Sequence, residues 1–329
     1  MINIGLIGAG RWGKNYIKTL NNIGEAKLSI IYDTKSAFEL TEQLCDFLPP
    51  EVKILGGDMG KLRGIDAVII ASPTSTHAEY IERCLNLGIK YILCEKPMCT
   101  SKPEAARLVA NIKEYENANV FVGHTYLFNN HLNEAIQLVK SGEIGRLCYV
   151  SSERLNFGPV RYDMNAVSDL AVHDISVFNN MFEKTPDMIM GYGYDVMKRG
   201  IEDIVNIHMS YCGIPVHVKA GWLYPEKVRE VSFVGTDGMV FFNELGETVV
   251  THHHKKLEKI SDNRYNEEDL GSSGVAASNK MPLTEELEFF IDAVKNKDSI
   301  DNIDFSYGVM CTIDEINESI KKGVCLKDG

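Results

Sequence analysis

The chain has no surplus of basic residues. Its 329 residues carry 34 Lys and Arg against 46 Asp and Glu, a formal charge of -12. With no basic stripe to neutralise phosphates, a nucleic-acid surface is excluded. No run approaches the ~18 consecutive apolar residues of a membrane span. The opening apolar stretch, Ile2 to Ala9, is interrupted by Arg11 and has no basic segment before it. A signal peptide is therefore not expected, and a cytoplasmic location is. The eight cysteines form no CxxC pair and keep no zinc-finger spacing to a histidine. Reduced, mostly buried thiols are expected, with no metal site. There are no internal repeats. What is present is the composition of a soluble globular protein, 44% hydrophobic and 24% charged. At ~100–200 residues per domain, this length predicts two domains.

The first third alternates short apolar runs with helical spacing. Ile2–Ile7, Lys27–Tyr32, Ala67–Ala71, Tyr91–Cys94 and Val120–Val122 read as buried strands. Arg11–Leu20 has helical spacing, with Gly24 able to end it. Thr76–Glu79 and Ser101–Glu104 match the capping-box pattern, and Gly88 suits a C′ position. Alternation of this kind predicts a parallel sheet covered on both faces. The boundary is placed at residue 123, giving a nucleotide-binding domain over 1–123 and a second domain over 124–329.

Gly8-Ala9-Gly10-Arg11-Trp12-Gly13 is a GxGxxG between a predicted strand and a predicted helix, with Asp33 at the end of the next strand. In that context it predicts a dinucleotide site. Gly8 permits the turn, Gly10 lets the backbone approach a pyrophosphate, and Gly13 lets the helix pack on the strand. The helix start offers free N–H groups to the anion. The Asp33 carboxylate can accept from both ribose hydroxyls and would repel a 2′-phosphate, so NAD is expected over NADP. Lys35 argues weakly the other way.

Two constellations carry candidate chemistry. Glu95-Lys96-Pro97 ends the fourth strand, where ligands of open α/β sheets bind. Asp169 and His173 fall at i and i+4 of a helix expected over Asn165–Met181, so carboxylate and imidazole share one face. Such a pair can act as general base and partner.

In the second domain, Ile144–Asn156, Ile189–Val196, Ile204–Tyr211, Val216–Trp222, Val228–Val234 and Met239–Phe242 read as strands, with Asp237-Gly238 a hairpin signal. Helices are expected over Glu285–Lys297 and Tyr307–Lys322, with Thr284 and Ser306 as N-caps and Gly323 after the last. Ser261–Asn279 reads as a long loop. His252-His253-His254 reads as surface, with His253 opposite the other two. Arg154 and Arg161 could hold a phosphate or carboxylate, or could be structural ion pairs. Tyr126 and Asn156 could bind substrate hydroxyls.

The glycine loop, Ala71-Ser72-Pro73-Thr74-Ser75-Thr76-His77, Glu95-Lys96-Pro97, Gly123-His124-Thr125-Tyr126 and Asp169-x3-His173 stand in the order of the Gfo/Idh/MocA oxidoreductases. The chain resembles that family over nearly its whole length, Val234–Gly238 resembling its substrate-domain hairpin. The resemblance implies a Rossmann domain followed by an α/β domain with a large, mostly antiparallel sheet. It implies Lys96 and His173 as catalytic residues with Asp169 beside them, and Arg11, Trp12, Ser72, Pro73, Thr74, His77, Glu95 and Lys96 lining the cofactor. Arg154–Asn165, followed by Asp169–Asp174, resembles members from bacterial surface-sugar pathways, which act on nucleotide-linked sugars. Ala166-Val167-Ser168 stands where many relatives have a Gly-Gly pair. The implied activity is NAD-dependent hydride transfer at a sugar carbinol carbon. The alternatives are an inositol or free-sugar dehydrogenase and a non-catalytic NAD-binding regulator. A homodimer or homotetramer is expected.

Overall fold

The computed structural model describes residues 1–262 and 264–323. In chain order the strands and helices are β1 (Ile2–Ile7), α1 (Gly13–Leu20), β2 (Ala26–Tyr32), α2 (Ala37–Leu44), β3 (Lys53–Leu55), β4 (Ala67–Ile70), α3 (His77–Asn86), β5 (Tyr91–Glu95), α4 (Lys102–Lys113) and β6 (Asn119–Gly123). Then come α5 (Asn130–Lys140), β7 (Leu147–Phe157), α6 (Val172–Phe182), β8 (Met188–Tyr194), β9 (Ile204–Tyr211), β10 (Ile214–Gly221), β11 (Leu223–Gly235), β12 (Met239–Asn243), β13 (Val250–Ser261), β14 (Arg264–Gly274), α7 (Pro282–Asn296) and α8 (Ile303–Gly323).

They form two compact units, one from Met1–Phe128 with Met281–Met310, the other from Asn129–Lys280 with Cys311 onward. These units differ from a single cut at residue 123. Helix α7 returns to the first unit because Leu287, Phe290 and Ile291 are buried in one apolar cluster with Ile4, Leu6, Ala9, Ile17 and Leu40.

The first unit is built on a six-stranded sheet of order β3-β2-β1-β4-β5-β6, with every pair parallel. This is the Rossmann order, whose crevice opens beyond the carboxyl ends of β1 and β4, where the chain steps to β2 on one side and to β5 on the other. Ile4, Leu6 and Ile7 of β1 are fully buried, each side chain contributing ~1.5–3 kcal/mol. Strand β3, absent from the sequence reading, is a three-residue edge. Caps depart from expectation. Thr76 gives no cap bond, since its hydroxyl donates to the Pro73 carbonyl. Ser101 does cap α4, and Ser36 with Glu39 forms a complete capping box on α2. Gly88 ends α3 at φ +82 as expected.

The second unit is built on an eight-stranded sheet, β14-β13-β12-β11-β7-β10-β9-β8, antiparallel except for β7 with β10. On β8 one face carries Gly191, whose missing Cβ leaves room for Ile320 of α8, and whose N–H donates to Ser319 Oγ at 2.9 Å. The opposite face carries Met188, Met190, Tyr192 and Tyr194, all exposed.

Several expectations are corrected. Residues 261–279 are largely strand, because Lys255 and Lys256 pair across β13–β14 with Asp269 and Glu268, each at 2.8 Å. Asn263 lies outside the described residues. The helix expected over Asn165–Met181 is a π-helical turn, Val167–Ala171, leading into α6. Met281, not Thr284, precedes α7, and Ser306 lies inside α8, as does Gly323. His252 is buried, with its ring 4.1 Å from that of His254. Of the seven cysteines described, only Cys84, Cys94 and Cys99 are buried, and Cys325 lies outside the described residues. Among the described residues no helix is long and apolar enough to cross a membrane, and no cluster could hold a metal ion.

Candidate active site

The glycine loop leaves β1 under two steric demands. Gly8 has φ +89, and a Cβ on it would meet the Ser72 backbone at 2.8 Å. The loops after β1 and β4 thus touch at the crevice, and only glycine fits. A Cβ on Gly13 would stand 2.2 Å from the Gly8 carbonyl oxygen, so α1 can begin tight under the loop only with glycine there. Gly10 meets nothing within 4 Å, which leaves the backbone open to a ligand. Trp12 precedes α1 without a side-chain cap bond, and both Arg11 and Trp12 are exposed.

Asp33 is held where the loop needs it. Its Oδ2 accepts the Ala9 N–H at 2.8 Å and its Oδ1 accepts the Lys35 N–H at 2.9 Å. Each oxygen keeps a lone pair for a ribose hydroxyl. The Lys35 ammonium donates to Gln43 at 3.0 Å. An open glycine backbone beside an oriented carboxylate fits a dinucleotide.

The loop after β4 is tied to the EKP turn through one imidazole. His77 is buried, its Nδ1 2.9 Å from the Pro97 carbonyl and its Nε2 2.9 Å from the Ser72 carbonyl. Burial lowers its pKa, partly opposed by the two carbonyls. His77 therefore joins two loops, while Ser72 and Thr74 are half-buried and Pro73 exposed along the same segment. Ser72 Oγ lies 2.8 Å from Thr76 Oγ1. Lys96 is half-buried, followed by a cis Pro97. Glu95 is buried and accepts from the Tyr16 hydroxyl at 2.7 Å. Its carboxyl faces its own unit's core, a position different from the cofactor contact expected of it. Tyr126 is half-buried in a 3-10 turn of this same unit, Thr125–Phe128.

The second unit carries the remaining candidates. Asp169 lies in the π-helical turn and His173 in the first turn of α6. The π turn replaces the α-helical winding expected between Asp169 and His173. π turns recur at functional sites. Arg161 Nη1 lies 3.6 Å from Asp169 Oδ1, and its guanidinium forms a fork with Asp163 at 2.9 and 2.7 Å. That bonding raises the Arg161 pKa and lowers that of Asp163. Arg154 is buried against Asp174, with bonds of 2.8 and 3.1 Å, so the structural reading describes it. Asn156 is also engaged, donating to the Gly158 carbonyl at 2.6 Å and accepting from Arg229 at 2.7 Å. Asp174 was missed by the sequence reading. The only signal for it was its place beside His173.

Residues 2–124 match the family model described as "Oxidoreductase family, NAD-binding Rossmann fold", and residues 132–241 match "GFO/IDH/MocA C-terminal domain". The chain belongs to the Gfo/Idh/MocA oxidoreductase family. Residues 2–124, the larger part of the first unit, are that family's NAD-binding Rossmann domain. The Gfo/Idh/MocA chain is 27% identical to inositol 2-dehydrogenase of Rhizobium meliloti over 207 residues, 61% of each chain. It thus spans less than two thirds of that relative's length. Among solved structures, UDP-N-acetylglucosamine 3-dehydrogenase of Acidithiobacillus ferrooxidans matches with TM-score 0.79 and 21% identity over 98% of both chains. Scyllo-inositol dehydrogenase of Lactobacillus casei, with bound NAD(H) and scyllo-inositol, matches with TM-score 0.77 and 20% identity over 98% of this chain and 97% of the other. These likenesses show the fold.

Proposed function

We propose that this protein transfers a hydride between NAD and a carbinol carbon of a sugar, with nucleotide-linked hexosamines and uronates the first substrates to test. The observation that carries the reading lies in the first unit alone. An open glycine loop with an oriented Asp33 shares a crevice edge with the EKP turn, to which His77 ties the Ser72 loop. When bound, NAD supplies the hydride acceptor. Lys96 donates to the reacting hydroxyl and stabilises its developing oxyanion charge, His173 takes the hydroxyl proton, and Asp169 steadies the imidazole. Tyr126 and Arg161 bind substrate. Asp33 selects NAD over NADP by its negative charge.

The nucleotide-sugar class rests on the resemblance of residues 154–174 to surface-sugar enzymes. Inositol or a free sugar is the second reading, favoured by the 27% identity to an inositol 2-dehydrogenase. A panel of UDP-hexosamines, UDP-uronates, free sugars and inositols, offered with NAD and read as NADH formation, separates them. The expected result is turnover with a UDP-linked member. Turnover with inositol alone moves the assignment to the second reading. Measurable NADH binding with no turnover across the panel would leave a regulator.

We also propose a homodimer or homotetramer formed on the open sheet face. The exposed Met188, Met190, Tyr192 and Tyr194 row supports it, since such rows mark contact surfaces. Light scattering at micromolar concentration should give at least twice the 36.8 kDa chain mass; a monomer would remove this proposal.

A further inference from the structure

The first unit buries two carboxyl groups behind the EKP turn that the reaction above does not use. Glu95 closes β5 and Glu286 lies in α7, exposed by 6% and 0%. They approach each other over β6. Gly123 is the register partner of Glu95, and a Cβ on Gly123 would stand 3.2 and 3.3 Å from the Glu286 oxygens. The glycine therefore leaves the space that the second carboxyl fills.

Their partners differ. Glu95 Oε1 accepts from the Tyr16 hydroxyl at 2.7 Å, and its Oε2 accepts the Lys96 N–H at 3.2 Å. Glu286 Oε2 accepts from the Thr125 hydroxyl at 3.2 Å, while its Oε1 is buried with no partner. A buried bare oxygen on an ionised carboxylate is costly, and two coupled buried carboxylates resist ionising together. The proton thus belongs on Glu286 and the charge on Glu95.

The surrounding groups agree. Burial raises Glu95 to about 7, held back by the Tyr16 hydrogen bond and the Lys96 charge. Burial and then the charge of Glu95 push Glu286 well above the carboxylate range. Tyr16 is raised by burial and both carboxyls, so it stays a donor, and buried Cys94 is raised by burial and then by Glu95. His124 is lowered to about 3, by burial and by Lys96, and is neutral. Lys96 is the positive charge that opposes the rise of Glu95, and its backbone N–H donates to the same carboxylate.

We propose that Tyr16, Glu95 and Glu286 are positioning residues for Lys96: Glu286 keeps its proton, Glu95 alone carries the charge, and that single charge holds the EKP amine as an ammonium. The consequence for catalysis rests on the reading of Lys96 given above. The charge arrangement can be tested without turnover.

Competitive acetylation of the intact protein with acetic anhydride, followed by mass spectrometry of the Lys96 peptide, reads the free-amine fraction against pH. At pH 8, Glu95→Gln should acetylate Lys96 about tenfold faster than wild type, the change that one pKa unit produces. Tyr16→Phe keeps the carboxyl but removes its donor, so Glu95 protonates more readily. Its increase should be smaller and in the same direction, and it serves if Glu95→Gln fails to fold. Glu286→Gln copies the neutral acid and should label as wild type. Infrared spectra at pH 8 should show a buried carboxylic-acid carbonyl band that Glu286→Gln abolishes. Wild-type labelling in both folded Glu95→Gln and Tyr16→Phe, labelling of Glu286→Gln as fast as Glu95→Gln, or no such band would each overturn the proposal. None of these readouts needs a substrate. Their failure leaves the hydride-transfer reading standing, and inactivity toward every sugar leaves the charge arrangement standing.

Discussion

Lys96→Ala and His173→Ala should each lower turnover of the best sugar substrate by at least ~10²-fold, the scale of lost acid–base and oxyanion stabilisation. The two losses arise differently. Without Lys96 the developing alkoxide loses a donor, and without His173 the hydroxyl proton loses its acceptor. Neither side chain belongs to the glycine loop or to Asp33, so NADH affinity should change far less than kcat. If the two act on one step, the double variant should cost little more than the worse single, because groups that act as a unit are not additive. Stopped-flow measurement of NADH formation under single-turnover conditions separates chemistry from product release. Near-wild-type rates in both folded single variants would sink the assignment of these residues.

The parts of this molecule that could be read from sequence are those whose physical demands are local. Gly8, Gly13 and Asp33 belong to one strand–turn–helix–strand unit, and each satisfies a demand inside it: a positive φ, a 2.2 Å clearance, a hydrogen bond to Ala9. His77 could be named, but its structural task could not, since its partners are the Ser72 and Pro97 carbonyls on two separate loops. Glu286 was invisible for the same reason. It lies in α7 and faces a glycine of β6, and no sequence window holds both. Nor does the periodicity of α7, with Leu287, Phe290 and Ile291 on one stripe, say which sheet the stripe will cover. The π turn at Val167–Ala171 carries no glycine or proline to mark it, so its sequence cannot be told from one that keeps a period of 3.6. Ser261–Asn279, which contains β14, reads as a loop because β14 is exposed along nearly its whole length and polar on both faces. With solvent on both sides, no apolar alternation is written, and cross-strand ion pairs take its place.

Asp174→Ala should destabilise the second unit by about 3–5 kcal/mol, the usual cost of stranding one member of a buried ion pair. The side chains of Arg154 and Asp174 are 4% and 3% exposed, and both carboxylate oxygens are engaged. Its Oδ2 accepts from Arg154 Nε at 2.8 Å, and its Oδ1 accepts from Arg154 Nη2 at 3.1 Å and from Ser152 Oγ at 2.9 Å. Removing the carboxylate leaves a guanidinium in the interior without its counter-charge. At roughly 2–4 °C per kcal/mol for a unit of this size, its calorimetric transition should fall by about 10 °C. Arg154→Met with Asp174→Leu removes both charges and keeps most of the volume, so the pair should recover most of the loss. Arg154 stands on β7 and Asp174 on α6, directly after His173, so the pair clamps the helix that presents the imidazole. Turnover should therefore fall with Asp174→Ala and return in the double variant. The competing role for Arg154, gripping an anionic group of the substrate, predicts the opposite pattern: a raised KM in the double variant despite recovered stability. That outcome would return Arg154 to the substrate.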